Sequence, residues 1–270
     1  MRALELGTVV MRRVNFAEIH ERRWFPQKLR DDVTDMLQFI FNAARLYRPI
    51  AARLGAAIRA AASDHVLDLC SGAGGPWIWL QRMLAEQKGS PTKIVLTDRY
   101  PNLAAFRRTS EASRQRIGYC AEPVDAQTVP AGLPGFRTIF SSIHHFTPDE
   151  VTAILRDAVD RGEGIGLFEA AQRRPRTIVC AFFFMPMATI CLAPFMRPFR
   201  FARLFWTYLL PVIPFVMLFD GVLSCLRAYS STELRRLAAR VGADHYTWDA
   251  GEARAVTYLV GYAPLRPSPE

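Results

Sequence analysis

The 270 residues suffice for one domain with elaborations, and half of them are apolar. The five cysteines form no Cys-x-x-Cys pair and sit mostly in apolar runs, which excludes a thiolate metal centre or a disulfide frame and points to buried, reduced thiols. The net charge of +9 is almost wholly arginine, Lys28, Lys88 and Lys93 being the only lysines, and it fits either a GC-rich bacterial genome or attraction to an anionic surface or substrate.

In chain order, Leu4 to Val10 is too short, and with Glu5 too polar, for a signal peptide. From Phe16 to Ala62 the spacing predicts two or three helices. Leu29, Val33, Met36, Leu37, Ile40, Phe41, Ala44 and Leu46 recur at helical intervals, with acids and arginines on the opposite face. Trp24-Phe25-Pro26 ahead of that stripe either walls a pocket or staples the helix to the core. Val66 to Leu69 then reads as an apolar strand that breaks into Cys70-Ser71-Gly72-Ala73-Gly74-Gly75, and Pro76 suits a first helical turn. Only glycine lets a backbone turn that tightly while a ligand lies against it. Such a floor belongs at the carboxyl end of a strand, where open α/β sheets bind nucleotides. The turn matches neither G-x-G-x-x-G nor a P-loop. A second apolar strand, Lys93 to Thr97, leads to Asp98, an acid placed to accept both hydroxyls of a ribose.

Further on, Thr177 to Met196 is a run of twenty uncharged residues, and Leu204 to Phe219 is a second apolar run. Such lengths reach the threshold of a membrane-spanning helix, and hydropathy alone gives two of them. Three features speak against a simple spanning hairpin. Its two ends must return to one sheet. Its tip carries Arg197, Arg200 and Arg203 without an acid, against the positive-inside tendency. Pro186, Pro194, Pro198, Pro211 and Pro214 would break helices at membrane depth. The alternation of Phe195, Phe199 and Phe201 with arginine suits the headgroup layer, rings down and guanidiniums on phosphates. Residues 177–226 are therefore expected to lie on a membrane surface, with a soluble apolar lid, a homodimer contact or a true span as the alternatives. Beyond them, Ser231 to Val241 reads as a helix capped by Ser230 or Ser231 with Glu233 near its third position. Ala243 to Ala263 fits a strand pair, and 264–270 a frayed tail.

The glycine turn after Asp68, with Asp98 one βαβ unit later, resembles motif I and the acidic ribose ligand of the class I S-adenosylmethionine-dependent methyltransferases. Val124-Asp125-Ala126 falls where that family places an acid or amide beside the adenine. Ile139 to Phe146 resembles its fourth strand and histidine-containing loop, and Gly164 to Glu169 its fifth strand. The similarity spans roughly residues 60–171 and 228–263. It implies a Rossmann-like α/β sheet with N-terminal helices and an apolar helical insertion between strand five and the following helix. The corresponding division is a cap over 1–62, a core over 63–171, the insertion over 172–228, the rest of the core over 229–263, and the tail. Two departures stand out: Cys70 replaces the first glycine of the usual D-x-G-x-G-x-G, and Arg137 or Thr138 stands where strand four often begins with an acid.

The implied cofactor is S-adenosylmethionine, held by Asp68, Gly72, Gly74, Asp98 and Asp125, with backbone from Cys70 and Ser71 and neighbours Ala126 and Ser141. No metal is expected. Methyl transfer is an in-line displacement that needs alignment and, for a hydroxyl acceptor, a base. His144, His145 and Glu169 are placed for that work, a histidine near pKa 6.5 being competent toward a phenol or enol. The alternative is that one histidine holds backbone carbonyls and the other packs under the lid. Glu169 could equally pair with Arg173, Arg174 or Arg176, or leave those arginines for an anionic headgroup, and Tyr229 is a further pocket candidate. An insertion this apolar at the acceptor edge implies a hydrophobic small molecule or lipid, each buried methylene contributing about 0.8 kcal/mol. Methylation on oxygen is favoured over carbon, at the cytoplasmic membrane face. The Asn/Asp-Pro-Pro-Tyr motif of exocyclic-amine methylation is absent after strand four, so no nucleic-acid partner is expected. An aminopropyl transferase would need an acidic pocket. A non-catalytic module that binds the cofactor remains the third alternative.

Overall fold

The computed structural model describes residues 11–86 and 93–264, so the expectations for Leu4 to Val10 and for the tail after Pro264 lie outside the described residues. Seven strands form one sheet in the order β3-β2-β1-β4-β5-β7-β6. β1 (His65–Leu69), β2 (Lys93–Leu96), β3 (Ile117–Tyr119), β4 (Phe136–Phe140) and β5 (Ile165–Glu169) run parallel to one another. β7 (Val256–Tyr262) runs antiparallel to β5, and β6 (Thr247–Ala253) to β7, as the predicted strand pair required. The chain moves outward from β1 to β3 and then returns to β4 on the other side of β1. That reversal opens a crevice at the carboxyl ends of β1 and β4, the place where such sheets bind ligands.

Strand alternation sends Val66, Ile94, Phe136 and Phe168 to one face, against α2 (Ala51–Ala60), α3 (Trp77–Ala85) and α4 (Leu103–Ala112). Leu67, Ile139, Leu167 and Leu259 meet α5 (Pro148–Asp160) and α9 (Ser231–Val241) on the other. With both faces covered, β4 and β5 are buried along their whole length. Arg137 survives inside β4 because its guanidinium binds Asp157 at 2.6 Å and Glu163 at 2.7 Å. α9 begins with a full capping box between Ser230 and Glu233, which settles the choice of cap in favour of Ser230.

A third core cluster lies off the sheet. Phe25 and the apolar stripe of α1 (Gln27–Ala43), namely Leu29, Val33, Met36 and Ile40, pack on Met185 and Ala188 of α6 (Pro175–Leu192) and on Ile213, Val216 and Met217 of α8 (Val212–Arg227). Phe25 is thus the staple, and Trp24 stands exposed. Between the two long helices come α7 (Phe201–Leu204) and a single π-turn over Phe205–Leu209, bent by 74° from α8. The helix through Pro175–Phe195 is long and apolar enough to cross a membrane by length and composition.

Three expectations for this region change. Pro186 does not break α6; the helix runs through it. Arg200 and Arg203 do not face outward: both bind Asp32 of α1, at 3.0 and 3.1 Å, because the inward stripe of α1 carries acids at Asp32 and Asp35. Cys180 and Cys191 are exposed, since α6 turns much of its apolar surface away from the core.

Candidate functional site

The turn after β1 is held from beneath by Asp68. Its Oδ2 accepts from Ser71 Oγ and its Oδ1 from Thr138 Oγ1, both at 2.6 Å. Burial pushes this carboxyl up to about 6 despite those donors. Gly74 and Gly75 donate backbone hydrogen bonds to the Ser71 carbonyl, at 2.7 and 3.0 Å, closing the turn. Cys70 has φ +56°, a left-handed backbone that explains why a glycine is usual at this place. Gly74, at φ +108°, is required for packing: an added Cβ would lie 2.8 Å from Thr109 Oγ1.

Asp98 follows β2 and accepts the Gly72 N–H on Oδ2 and the Tyr100 N–H on Oδ1, each at 2.8 Å. One lone pair per oxygen remains, enough for two hydroxyls. Asp125 is fixed by accepting from the Gln127 N–H at 2.9 Å, and the Val124 N–H reaches back to the Asp98 carbonyl. Ser141, after β4, accepts from the buried Tyr47 hydroxyl at 2.5 Å and from the Ala170 N–H.

These groups line one side of a single cavity of about 520 Å³, within the range of about 300–1,000 Å³ usual for small-molecule sites. Cys70, Ser71, Gly72, Asp98, Asp125, Ala126 and Ser141 all border it. Asp68 and Gly74 do not border it: they lie behind the turn, where Asp68 accepts from Ser71 and Gly74 packs on Thr109, and both support the loop.

The opposite side is a polar cluster beyond β4 and β5. His144, on the 3-10 turn after β4, is buried, with Nδ1 2.6 Å from Glu169 Oε2 and Nε2 3.2 Å from Glu18 Oε1. Burial works against its charged form, but Glu169 and Glu18 outweigh it and raise the imidazole to about 10. His144 is therefore a held imidazolium, not the base expected from an ordinary histidine. His145 is pulled the other way, by burial and by the charge of His144, so it is the neutral member of the pair. Its Nδ1 lies 2.7 Å from Glu21 Oε1. Burial pushes Glu18 up, but the His144 imidazolium beside it holds it well down, to about 2. His20 completes the cluster, 2.8 Å from Asp220 on α8.

Glu169 thus pairs with His144, and the neighbouring arginines go elsewhere: Arg173 to Glu233 at 2.8 Å and Arg174 to Glu252 at 2.7 Å. Tyr229 does not reach the cavity; its hydroxyl donates to the Phe146 carbonyl. Sequence reasoning missed Glu18, His20, Glu21 and Asp220. One signal was available: Asp220 is the lone acid in an apolar helix, and a buried acid needs a partner. Between the polar cluster and α6/α8 the cavity continues along Phe184, Met185, Gly221 and Cys225.

No protein-family model matches the chain, and no curated protein matches it in sequence. Solved structures do resemble it. An O-methyltransferase family protein from Burkholderia thailandensis superposes with a TM-score of 0.50 at 14% identity, covering 84% of this chain and 59% of its own. The S-adenosylmethionine-dependent methyltransferase SibL, in its apo form, gives 0.49 at 18% identity, covering 84% of this chain and 58% of its own. The chain spans little more than half the length of these neighbours. At such identities the likeness shows the fold alone: a seven-stranded α/β sheet shared with the Burkholderia thailandensis protein.

Proposed function

We propose that the chain binds S-adenosylmethionine on the glycine turn and transfers its methyl group to an oxygen of a hydrophobic small molecule or lipid. The observation that carries this reading is the cavity itself: Gly72, Asp98 and Asp125 border one side, the histidine cluster the other, and apolar side chains of α1 and α6, with Gly221 and Cys225 of α8, much of the rest. A methyl donor and an acceptor would meet there in line. The acceptor oxygen forms a bond to the methyl carbon as the carbon–sulfur bond breaks, leaving a neutral thioether. A hydroxyl acceptor must also lose a proton, and His145 is the neutral imidazole beside that end of the cavity. His144, held between Glu169 and Glu18, would orient the oxygen as a cation.

An acceptor with an apolar body is supported by the cavity wall along α1 and α6, where Leu37, Ile40, Phe41, Phe184 and Met185 line it. Association with the cytoplasmic face of a membrane is supported by the outer surface of the insertion, where Phe183 and Met187 of α6, Phe201 of α7 and Leu209 of the π-turn are each 60% exposed or more. A soluble enzyme that covers this face with a second copy of itself is the alternative reading.

Isothermal titration with S-adenosylhomocysteine tests the cofactor assignment. Wild-type protein should bind it, and Asp98→Asn, which keeps the side-chain shape, should weaken binding roughly ten- to a hundredfold, as expected for hydrogen bonds to a charged group worth about 1.5–3 kcal/mol. Absence of binding by the wild type would remove the proposal, and unchanged affinity in the variant would remove Asp98 from the site.

A further inference from the structure

The polar cluster has a geometry that methyl transfer does not require. Glu18 Oε1 lies 3.2 Å from His144 Nε2 and 3.8 Å from His145 Nδ1. Both nitrogens are closed off from solvent, and neither makes an aligned hydrogen bond. His144 itself is only 3% exposed, with Nε2 aimed at the centre of the group. Separations of this size match the edge of a tetrahedron built on bonds of about 2.0–2.1 Å, roughly 3.4 Å. The far nitrogen of His144 sits 2.6 Å from Glu169 Oε2, a carboxylate behind the imidazole that fixes its tautomer and leaves the Nε2 lone pair pointing inward. Glu169 is in turn held by the Ala171 N–H at 3.1 Å. The other oxygen of Glu18 lies 3.6 Å from His20 Nδ1, and Ser224 Oγ donates to Glu18 Oε1 at 2.9 Å, so the carboxylate is fixed from both sides.

We propose that Glu18, His144 and His145 form a binding site for one first-row divalent transition ion, with an open coordination position facing the cavity. Two imidazoles and one carboxylate suit zinc, iron, cobalt or nickel. Magnesium and calcium prefer all-oxygen shells, and copper(I) prefers sulfur. Three protein ligands with a free fourth position are the pattern of catalytic zinc, in contrast to closed structural sites. An ion there displaces the proton that His144 otherwise holds, and both imidazoles ligate in their neutral form. Arg227 brings one cation close, its Nη1 lying 3.7 Å from Glu18 Oε1 and 2.7 Å from Glu21 Oε2, but with Glu21, Glu169 and Asp220 around Glu18 the carboxylates outnumber it, which favours a cation over an anionic or apolar occupant. On the methyl-transfer reading above, a hydroxyl of the acceptor at the open position would lose its proton to solvent near neutral pH, so in the metal-loaded protein the ion would take over the parts that His144 and His145 play without it. The ligands come from two segments far apart in the chain, which is why no metal spacing is visible in the sequence.

Metal binding is read apart from methyl transfer, so the two proposals fail separately. Full-length protein stripped with a chelator is titrated with Co²⁺, following its ligand-field absorption, with Zn²⁺ as competitor. A single equivalent with the intense visible bands of a low-coordinate ion is expected, displaced by Zn²⁺. Glu18→Gln and His145→Asn should each weaken Co²⁺ binding at least tenfold, while His245→Ala, remote from the cluster, should leave it unchanged. Circular dichroism establishes that each variant is folded, and His145→Asn alone carries the comparison if Glu18→Gln is not. A wild-type chain that takes up no Co²⁺ overturns the site. So does uptake that survives in the folded variants, or that His245→Ala abolishes. Titration with S-adenosylhomocysteine of the stripped protein should be unaffected, and its failure would bear on the cofactor reading alone.

Discussion

Single residues at the turn already show how the fold accommodates a ligand site. Cys70 adopts a conformation that costs an L-residue about 1–2 kcal/mol, of which glycine would forfeit about 0.5–1 kcal/mol through its freer unfolded chain. Cys70→Gly should therefore raise stability by about 0.5–1 kcal/mol, seen as a higher urea midpoint at unchanged slope. Asp68 gives a pH dependence of definite sign. Burial raises its carboxyl from 3.8 to about 6, so between these values the folded protein holds a proton that the unfolded chain has lost. Stability from this group falls as pH rises from about 4 to about 6 and is flat above. The total is about 3 kcal/mol at 1.36 kcal/mol per unit. In Asp68→Asn that part of the stability curve should be missing when the two proteins are compared between pH 4 and 7. At this scale the sequence was informative about residue type and less so about direction. Asp68, Cys70 and Gly74 were all singled out, yet whether a side chain faces ligand or supports the loop depends on neighbours such as Thr138 and Thr109, which arrive from distant parts of the chain.

Among the elements, those with strong local chemistry were legible. The turn after β1, the capping box of α9 and the apolar stripe of α1 each carry their signal within a dozen residues. The insertion was legible in composition but not in the partners of its charges, because Arg200 and Arg203 find Asp32 across a long sequence gap. With those two arginines turned inward, any hold on a membrane rests on the outward aromatic rings. Phe183 is 67% exposed, Phe201 81% and Phe215 59%. Full burial of one such ring contributes about 1.5–3 kcal/mol, so the triple variant Phe183→Ser, Phe201→Ser, Phe215→Ser should partition at least tenfold more weakly into liposomes in a sedimentation assay. Wild-type protein that stays in the supernatant and elutes as a dimer would assign the same face to a second copy.

For the whole molecule, the sequence conveyed the first two parallel strands as short buried runs bounded by turn residues and the fourth and fifth through the family resemblance, while the three-residue β3 was too short to read. It did not convey the polar cluster, whose members come from the segment before α1, the loop after β4, the end of β5 and the middle of α8. Histidines and acids so far apart leave no periodicity to detect. His144 and His145 were recognisable; what was hidden is that Glu18 and Asp220 approach them, which changes the pair from two ordinary histidines into one charged and one neutral group.

The shared core of α1 with α6 and α8 has a bearing on how such a chain can be rebuilt. The insertion leaves and rejoins the sheet within one small region, where Arg173 before it grips Glu233 after it. Viewed from the sheet alone, it is a cassette that could be exchanged for another. α1 forbids that exchange on its own, since its Leu29, Val33 and Met36 would lose their cover and its Asp32 its cation. The leading helix and the late hairpin form one graft, and a chimera that keeps the sheet has to transplant both together.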